Sequence, residues 1–206
     1  MSKLLVLEGL DGAGTTTQAR RLRDALVARG HAVHVTREPS DGPIGRLIRE
    51  LLTGGHALPD GGAIDQATFS LLFAADRLDH VQREIAPALA AGTIVISDRY
   101  DHSSLAYQGT GAARAWIATL NERARRPDLT IFLRVRAEVA ADRRLAAGRT
   151  QELFEELSMQ RRVAAGYEQV LEACAAAGEA VVILDGERPL DEVTAAIVLA
   201  AMQVLA

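Results

Sequence analysis

The stretch VLEGLDGAGTTTQ, Val6–Gln18, leads from an apolar run into a helical pattern through a turn that contains three glycines. Gly9 and Gly14 have four residues between them, which is the glycine spacing of a phosphate-binding loop. Glycines let successive backbone N–H groups point inward, and the N-terminus of the following helix adds positive potential. The stretch therefore predicts a binding site for phosphate oxygens at the first strand-to-helix turn.

One position of this loop departs from the usual pattern. Thr15 stands where a phosphate-binding loop carries lysine, whereas Thr16 keeps the hydroxyl that ligates Mg²⁺. Threonine carries no charge and cannot reach a β- or γ-phosphate, so the loop lacks its mobile cation. Taken alone, the stretch leaves open a glycine-rich turn that binds nothing. The loop predicted to hold the donor phosphates consists of Gly9, Leu10, Asp11, Gly12, Ala13, Gly14, Thr15, Thr16 and Thr17.

The composition favours one cytoplasmic, enzyme-like domain. A chain of 206 residues is most simply a single domain, and its net charge of −4 gives no reason to expect a nucleic-acid or membrane partner. Cys174 is the only cysteine, which excludes an internal disulfide and predicts a packing role rather than a cysteine-based metal site. The apolar tail AAIVLAAMQVLA is shorter than the roughly 20 residues that a membrane-spanning helix needs.

Short apolar runs alternate with amphipathic stretches along the chain. Five runs rich in Val, Ile and Leu are predicted strands, covered on both faces: Lys3–Glu8, Ala32–Thr36, Thr93–Ser97, Leu129–Val135 and Ala180–Asp185. The predicted helices are Thr16–Arg29, Gly45–Thr53, Ile64–Ala91, Ala112–Arg125, Ala137–Ala147, Gln151–Ala177 and Leu190–Leu205. This alternation implies right-handed crossovers and a parallel α/β sheet with helices on both faces, whose ligands bind beyond the carboxyl ends of the strands.

Two stretches of the predicted helical regions are distinctive. In the longest predicted helix, apolar residues recur at helical spacing at Ile64, Ala67, Leu71, Ala75, Leu78, Val81 and Ile85. The basic run Arg143–Arg149 falls between two helical patterns, and a short connection there would serve as a mobile lid.

Several further motifs occur in a fixed order: TREP (Thr36–Pro39), LLFAADR (Leu71–Arg77), SDRY (Ser97–Tyr100), DHSSLAYQG (Asp101–Gly109) and RPDLTIFL (Arg126–Leu133). Together with EGLDGAGTT, this ordered set resembles thymidylate kinase of the bacterial type, from about Lys3 to Tyr167 and more loosely to the C-terminus. The resemblance implies transfer of the γ-phosphoryl group of ATP to dTMP, with Mg²⁺, in dTTP synthesis. It also implies a P-loop nucleoside-monophosphate-kinase fold, with a five-stranded parallel sheet of order 2-3-1-4-5. That fold would form a single domain over residues 1–206, with a short lid at about 143–153, and would assemble as a homodimer in the cytoplasm.

The resemblance also implies an acceptor site. In the family, the residues at Phe73 and Arg77 stack on thymine and hydrogen-bond the base edge, and their spacing of four places both on one helix face. A core phenylalanine and a solvated arginine are the alternative. Ser104 and Gln108 would share a face if that segment is helical. The full set implied for dTMP is Asp11, Glu38, Arg49, Phe73, Arg77, Arg99, Ser104, Tyr107 and Gln108, with Tyr107 near the sugar and Arg49 and Arg99 on the phosphate.

Metal and catalytic roles follow from the same resemblance. Thr16 and Asp98 match the Mg²⁺ ligands, and Glu38 matches a residue that orders Arg99 or the sugar. The implied catalytic residues are Arg99, Asp11, Arg149 and Arg143, the last two being lid arginines that would replace the missing lysine. A solvated helix charge is the alternative for each lid arginine.

The lid also departs from the family pattern, because GRTQELFEE has no aspartate before Arg149. With Thr15, this leaves two other functions open: a catalytically weakened or silent nucleotide-binding relative, and a kinase for another pyrimidine deoxynucleoside monophosphate.

Overall fold

Strands and helices alternate through the parts of the chain that the computed structural model describes, residues 2–54, 64–148 and 153–206, with only the backbone described at 153–156. The strands are β1 Leu4–Gly9, β2 Val33–Arg37, β3 Ile94–Asp98, β4 Leu129–Arg134 and β5 Val181–Asp185. The helices are α1 Thr15–Val27, α2 Pro43–Leu52, α3 Gln66–His80, α4 Ala86–Ala90, α5 Asp101–Tyr107, α6 Arg114–Asn121, α7 Ala137–Ala146, α8 Leu153–Ala177 and α9 Leu190–Leu205. A π-helical segment, Val81–Ile85, joins α3 to α4, and a 3₁₀ turn, Gln108–Thr110, follows α5.

The five strands form one parallel sheet in the order β2-β3-β1-β4-β5, which confirms the predicted topology. Leu7 of β1 pairs with Asp98 of β3, and Glu8 pairs with Phe132 of β4. In a parallel sheet the carboxyl ends of all strands meet at one edge, so this register brings the phosphate loop after β1 next to the end of β3.

Apolar side chains cover both faces of the central strands. Leu4 and Val6 belong to a buried cluster that includes Ile85 and Leu89. Leu5 and Leu7 belong to a larger buried cluster on the other face, which takes in residues of α1, α8 and α9. Because successive side chains of a strand point to opposite faces, the unalternated apolar sequence of β1 is what two covered faces require.

The prediction that all five strands are covered on both faces is wrong for the two edge strands, β2 and β5. Residues Val33–Val35 of β2 are only half buried, and Ile183 of β5 is 43% exposed. An edge strand has a neighbour on one side only, so the helices above and below it cover less of its surface.

The long helix leaves much of its periodic apolar set exposed. Its apolar residues Ala67, Leu71, Ala75 and Leu78, called here the α3 stripe, are exposed. The buried face instead carries Phe69, Ser70, Ala74, Asp76, Arg77 and His80. The tertiary structure thus places the polar face of α3 inside the protein, where it forms part of the candidate site.

The first residues of the predicted lid are helical. Arg143 and Arg144 lie in the last turn of α7, because the alanine- and arginine-rich sequence there is a good helix former. Arg149 lies outside the described residues. No helix in the described ranges is both long enough and apolar enough to cross a membrane.

Candidate active site

The phosphate loop after β1 depends on two glycines in the left-handed region. Gly12 has φ +95° and Gly14 has φ +96°, conformations that side chains with a Cβ rarely adopt. Gly14 is the residue before α1, whose first backbone N–H groups have no intrahelical partner. The loop therefore presents free donors at a helix N-terminus, as its sequence predicted.

Replacing Gly12 by alanine is expected to disrupt this loop. A methyl group there would overlap the carbonyl oxygen of Ala140 in α7, in addition to the strain of the positive φ. Because a displacement of about 1 Å can cost on the order of 10²-fold in rate, we expect kcat/KM for ATP to fall by about that factor. Steady-state kinetics at varied ATP measures it.

Gly92→Ala is the matched control for this change. Gly92 has φ +82° but no atom within 4 Å of the added methyl group, and it lies in the turn before β3. It tests the strain of the positive φ without the overlap. An equal fall in kcat/KM for ATP in the two variants would contradict the assignment of Gly12 to the phosphate loop.

A cleft of about 370 Å³ lies over the loop. Thr15 lines it but is only 6% exposed, so its side chain cannot act as a mobile donor. Three arginines, Arg99, Arg143 and Arg144, line the same cleft. Arg143 donates from both terminal nitrogens to the carbonyl oxygen of Gly186 at 3.0 Å, which ties α7 to the loop after β5.

Thr16 and Asp98 meet at the floor of this cleft. The Thr16 hydroxyl donates to Oδ2 of Asp98, while the buried Oδ1 of Asp98 has no hydrogen-bond partner among the residues that the structure describes. A hydroxyl and a carboxylate oxygen are hard ligands that suit Mg²⁺, and an unpaired buried carboxylate oxygen is costly without a cation. The pair therefore fits the predicted metal site.

Arg99 occupies the wall between this cleft and a second cavity. It is a non-glycine residue with φ 75°, and such strain accumulates at functional positions. Its guanidinium donates to Asp11 Oδ1 at 2.8 Å and to the Gly9 carbonyl oxygen at 2.8 Å, and it lies 5.1 Å from the centre of the Tyr107 ring. Burial alone would lower the pKa of Arg99, but Tyr107 and Asp11 hold it well above its ordinary value, so the group stays charged.

Glu8 organises the residues behind Arg99, and its role was not predicted. This buried carboxylate accepts hydrogen bonds from the Tyr100 backbone N–H at 2.9 Å, the Ser103 hydroxyl at 2.5 Å and the Tyr167 hydroxyl at 2.9 Å. Burial raises the pKa of Glu8, while His102, Arg99 and these hydrogen bonds lower it. A lone acid at the end of a fully buried apolar strand was the one sequence signal that could have indicated this role.

The second cavity has a volume of about 250 Å³ and adjoins the first through Asp11 and Arg99, which line both. Eight of the nine residues predicted for dTMP line it: Asp11, Glu38, Phe73, Arg77, Arg99, Ser104, Tyr107 and Gln108. Pro39, Leu52, Tyr100 and Ser103 also line it and were not predicted. We call this space the acceptor cavity.

Arg77, in the wall of the acceptor cavity, is buried and restrained by several hydrogen bonds. It is 1% exposed and donates to Glu38 Oε2 at 2.6 Å, the Tyr100 carbonyl oxygen at 2.9 Å and the Ser104 hydroxyl at 3.1 Å. Its Nε is buried and finds no acceptor within the described part of the chain. Burial would lower the pKa of Arg77, but the charge of Glu38 raises it overall.

Glu38, predicted to order Arg99 or the sugar, has a partner that was not predicted. Glu38 pairs with Arg77 and lies 3.3 Å from His80 Nδ1, whereas the partner of Arg99 is Asp11. Glu38 follows β2 and reaches across to α3, so its carboxylate meets the buried face of α3 rather than the end of β3.

Arg49 does not line the acceptor cavity. It donates to the Pro39 carbonyl oxygen at 2.6 Å and to Asp41 Oδ1 at 3.1 Å, beside the rim that Leu52 forms. Ser104 and Gln108 both line the cavity, because α5 and the 3₁₀ turn after it continue one helical path.

A third cavity, of about 320 Å³, adjoins the phosphate loop on its other side. Gly14 and Thr17 line it together with Gly186 and Arg188 from the loop between β5 and α9, and with Leu190 at the start of α9. Sequence reasoning missed this space, because the loop after β5 carries no motif of its own.

Comparison with known proteins identifies one protein family over most of the chain. The family model described as thymidylate kinase matches residues 7–197. The thymidylate kinase of Caulobacter vibrioides is 42% identical over 196 residues, which cover 92% of this chain and 91% of the relative. A probable thymidylate kinase of Pyrococcus abyssi is 43% identical over 169 residues, 82% of each chain. On this evidence, together with the sheet order and the phosphate loop, the chain belongs to the thymidylate kinase family.

Proposed function

We propose that this chain transfers the γ-phosphoryl group of ATP to dTMP, giving dTDP and ADP in the synthesis of dTTP. The observation that carries the proposal is the pair of adjoining spaces, one over the phosphate loop and one lined by Phe73 and Arg77, with Asp11 and Arg99 between them. A transferase needs donor and acceptor sites that meet at one point, and a sensor of ATP alone would not need the acceptor cavity.

The acceptor cavity suits a pyrimidine monophosphate. The Phe73 ring would stack on the base, and Arg77 would donate from Nε to a carbonyl oxygen at the pyrimidine 4-position. Because Glu38 and Ser104 already engage Nη2 of Arg77, the direction of the remaining donor is fixed. Arg49 would reach the monophosphate from the rim once its bond to Asp41 is released.

The transfer step needs no side-chain base. A phosphate oxygen of dTMP is already ionised and attacks the γ-phosphorus, while the bond from that phosphorus to the oxygen of the leaving ADP breaks. Arg99 stabilises the charge that spreads over the transferred oxygens, and Asp11 orients Arg99. Mg²⁺ held by Thr16 and Asp98 would neutralise phosphate charge when bound. The base and sugar of ATP would occupy the third cavity, against Arg188 and Leu190.

Arginines of α7 would take the place of the missing lysine. Arg143 lines both the phosphate cleft and the third cavity, and Arg144 lines the phosphate cleft. Arg149 belongs to the same proposal by its place in the sequence, although it lies outside the described residues. The lid of about 143–153 would then consist of the end of α7 and the segment after it, closing over the donor and excluding water.

Thr15→Lys and Arg143→Ala test whether arginines of α7 replace the missing lysine. We expect Arg143→Ala to lower kcat by about 10²–10³, the usual cost of removing one charge-stabilising donor, and Thr15→Lys to raise kcat by less than about 10-fold. Arg136→Ala is the matched control, because Arg136 precedes α7, is exposed and pairs with Glu187 outside both clefts. A large gain from Thr15→Lys with no loss from Arg143→Ala would contradict the proposal.

The activity itself is tested by coupled detection of ADP with purified chain, ATP, Mg²⁺ and dTMP. We expect turnover with dTMP and with dUMP, and a kcat/KM for dCMP lower by at least about 10²-fold, because an amine at the 4-position leaves the Arg77 donor unpaired. If dTMP binds but no ADP forms, the chain is a silent nucleotide-binding relative. If dCMP is the better acceptor, it is a kinase for another nucleotide.

We also propose a homodimer that acts in the cytoplasm, where its nucleotide substrates occur. The exposed α3 stripe supports a second copy as partner, since burying Leu71 and Leu78 against the same residues would remove apolar area from water. A mass of one chain by light scattering at micromolar concentration would contradict the dimer.

A further inference from the structure

Three side chains that can ligate a metal meet where α5 packs against the C-terminal end of α8. His102 Nε2 lies 3.1 Å from Cys174 Sγ and 3.2 Å from Glu179 Oε2, and the three ligand atoms all lie within 4.8 Å of one another. The sequence separates these residues by 72 and 77 positions from His102, so neither spacing nor motif indicated them.

The end of α8 fixes two of the three donors. The helix ends at Ala177, Gly178 follows with φ 68°, and the Glu179 backbone N–H bonds the Cys174 carbonyl oxygen at 3.0 Å. This bond spans five residues, as in a helix end closed by a left-handed glycine. It returns the chain on itself, so Cys174 and Glu179 face the same side and meet His102 of α5.

Sulfur, imidazole nitrogen and carboxylate oxygen are the ligand types that zinc takes in proteins. Zinc bonds of about 2.0–2.3 Å place two ligand atoms of one ion about 3–4 Å apart, so the observed separations need only a small adjustment. His102 and Cys174 are buried, whereas the Glu179 side chain is 30% exposed. The cluster thus has an open side at Glu179, where water would complete four-coordination.

The groups around the cluster match the surroundings of a metal-bound histidine. His102 Nδ1, the ring nitrogen that does not contact Cys174, is buried and has no hydrogen-bond partner among the described residues; Oδ1 of Asp101, 3.7 Å from it, has none either. A ligating histidine almost always donates its second ring N–H to a carboxylate, a backbone carbonyl or water, which fixes the tautomer. Both His102 and Asp101 are 5% exposed.

Arg126 contacts the two acids through oxygens other than those that face His102. Arg126, which is largely exposed, approaches Oε1 of Glu179 at 3.3 Å and Oδ2 of Asp101 at 3.9 Å. The carboxylate oxygens that face His102 are the other two, Glu179 Oε2 and Asp101 Oδ1. Arg126 therefore holds both acids in place from the outside.

We propose that His102, Cys174 and Glu179 form a binding site for a thiophilic divalent cation of the zinc class, with Asp101 orienting His102. The cation links the end of α8 to α5 and so stabilises their packing. In α5, the two residues after His102, Ser103 and Ser104, line the acceptor cavity. The site is separate from Thr16 and Asp98, which offer only oxygen ligands. It does not depend on the proposed activity.

Titration of the metal-free, full-length chain with Co²⁺ tests the site, with excess Mg²⁺ present to occupy the oxygen ligands of Thr16 and Asp98. We expect one equivalent of Co²⁺ to give a near-ultraviolet thiolate-to-cobalt band and intense visible bands of a four-coordinate ion, both removed by Zn²⁺. Because Cys174 is the only cysteine, the thiolate band reports this site alone. Its absence from the folded wild-type chain overturns the proposal.

Matched variants identify the other ligands. Glu179→Gln is expected to weaken Zn²⁺ binding by more than about 10-fold, and Asp101→Asn by about 10–100-fold, the usual effect of losing an outer partner. Glu172→Gln removes the same charge from an exposed position of α8 and should leave Zn²⁺ binding unchanged. Thermal unfolding should shift upward with Zn²⁺ in the wild type and not in Cys174→Ser. A thiolate band unaffected by His102→Gln and Glu179→Gln would overturn this ligand set.

Discussion

Arg99→Ala is expected to lower kcat for the transfer of phosphate from ATP to dTMP by 10³-fold or more. Loss of one preorganised donor costs about 10²–10³ in rate, and here the change also leaves the Asp11 carboxylate without its 2.8 Å partner between two phosphate sites. The uncompensated negative charge would repel donor and acceptor alike. Steady-state kcat with both substrates saturating measures the effect.

Arg99→Gly separates this electrostatic role from the strain of the backbone. Glycine adopts the φ of 75° at this position without cost, whereas alanine does not, so the glycine variant should be the more stable of the two. The two variants should nevertheless lose kcat equally. Arg21→Ala, which removes an exposed arginine of α1 that pairs with Asp191, is the control for charge alone. A loss below about 10-fold in both Arg99 variants would remove Arg99 from the catalytic proposal.

Arg77→Met is expected to damage both acceptor binding and stability. The Arg77–Glu38 pair is buried, and removing one partner of a buried ion pair costs about 3–5 kcal/mol because the other charge is left uncompensated. We also expect kcat/KM for dTMP to fall by more than about 10³-fold, since the only proposed donor to the base edge is lost. Chemical denaturation and kinetics at varied dTMP measure the two effects.

The double variant Arg77→Met/Glu38→Gln distinguishes a structural role from a binding role. Removing both charges should recover most of the free energy of unfolding, because no uncompensated charge is left. It should not recover kcat/KM for dTMP. If stability and dTMP kinetics recovered together, Arg77 would be a structural residue and the base would be recognised by other groups.

The fold was predictable because its signals are local. Unalternated apolar runs, helical periodicity and the Gly9–Gly14 spacing each depend on a few neighbouring residues, and together they predicted the parallel sheet whose order the structure confirms. The α3 stripe shows the limit of such signals. Periodicity predicted the helix correctly but could not tell whether its apolar face or its polar face is buried.

The candidate site was predictable where motifs lie at strand ends or on one helix. Phe73 and Arg77 share a helix face by their spacing, and Asp98 follows from its place at the end of β3. The partners of those residues were not predictable. Glu38 was expected to order Arg99 or the sugar, and its pairing with Arg77 became visible only from the packing of β2 against α3.

The strands, the phosphate loop without its lysine and most of the residues that line the two adjoining cavities could be identified from the amino-acid sequence. The packing of distant elements was needed to find which charges pair, that Glu8 holds Tyr100, Ser103 and Tyr167, and that His102 and Glu179 lie beside Cys174. The difference lies in the range of the interactions. Backbone conformation and periodicity depend on near neighbours, whereas the partner of a buried polar side chain depends on which distant elements pack against it.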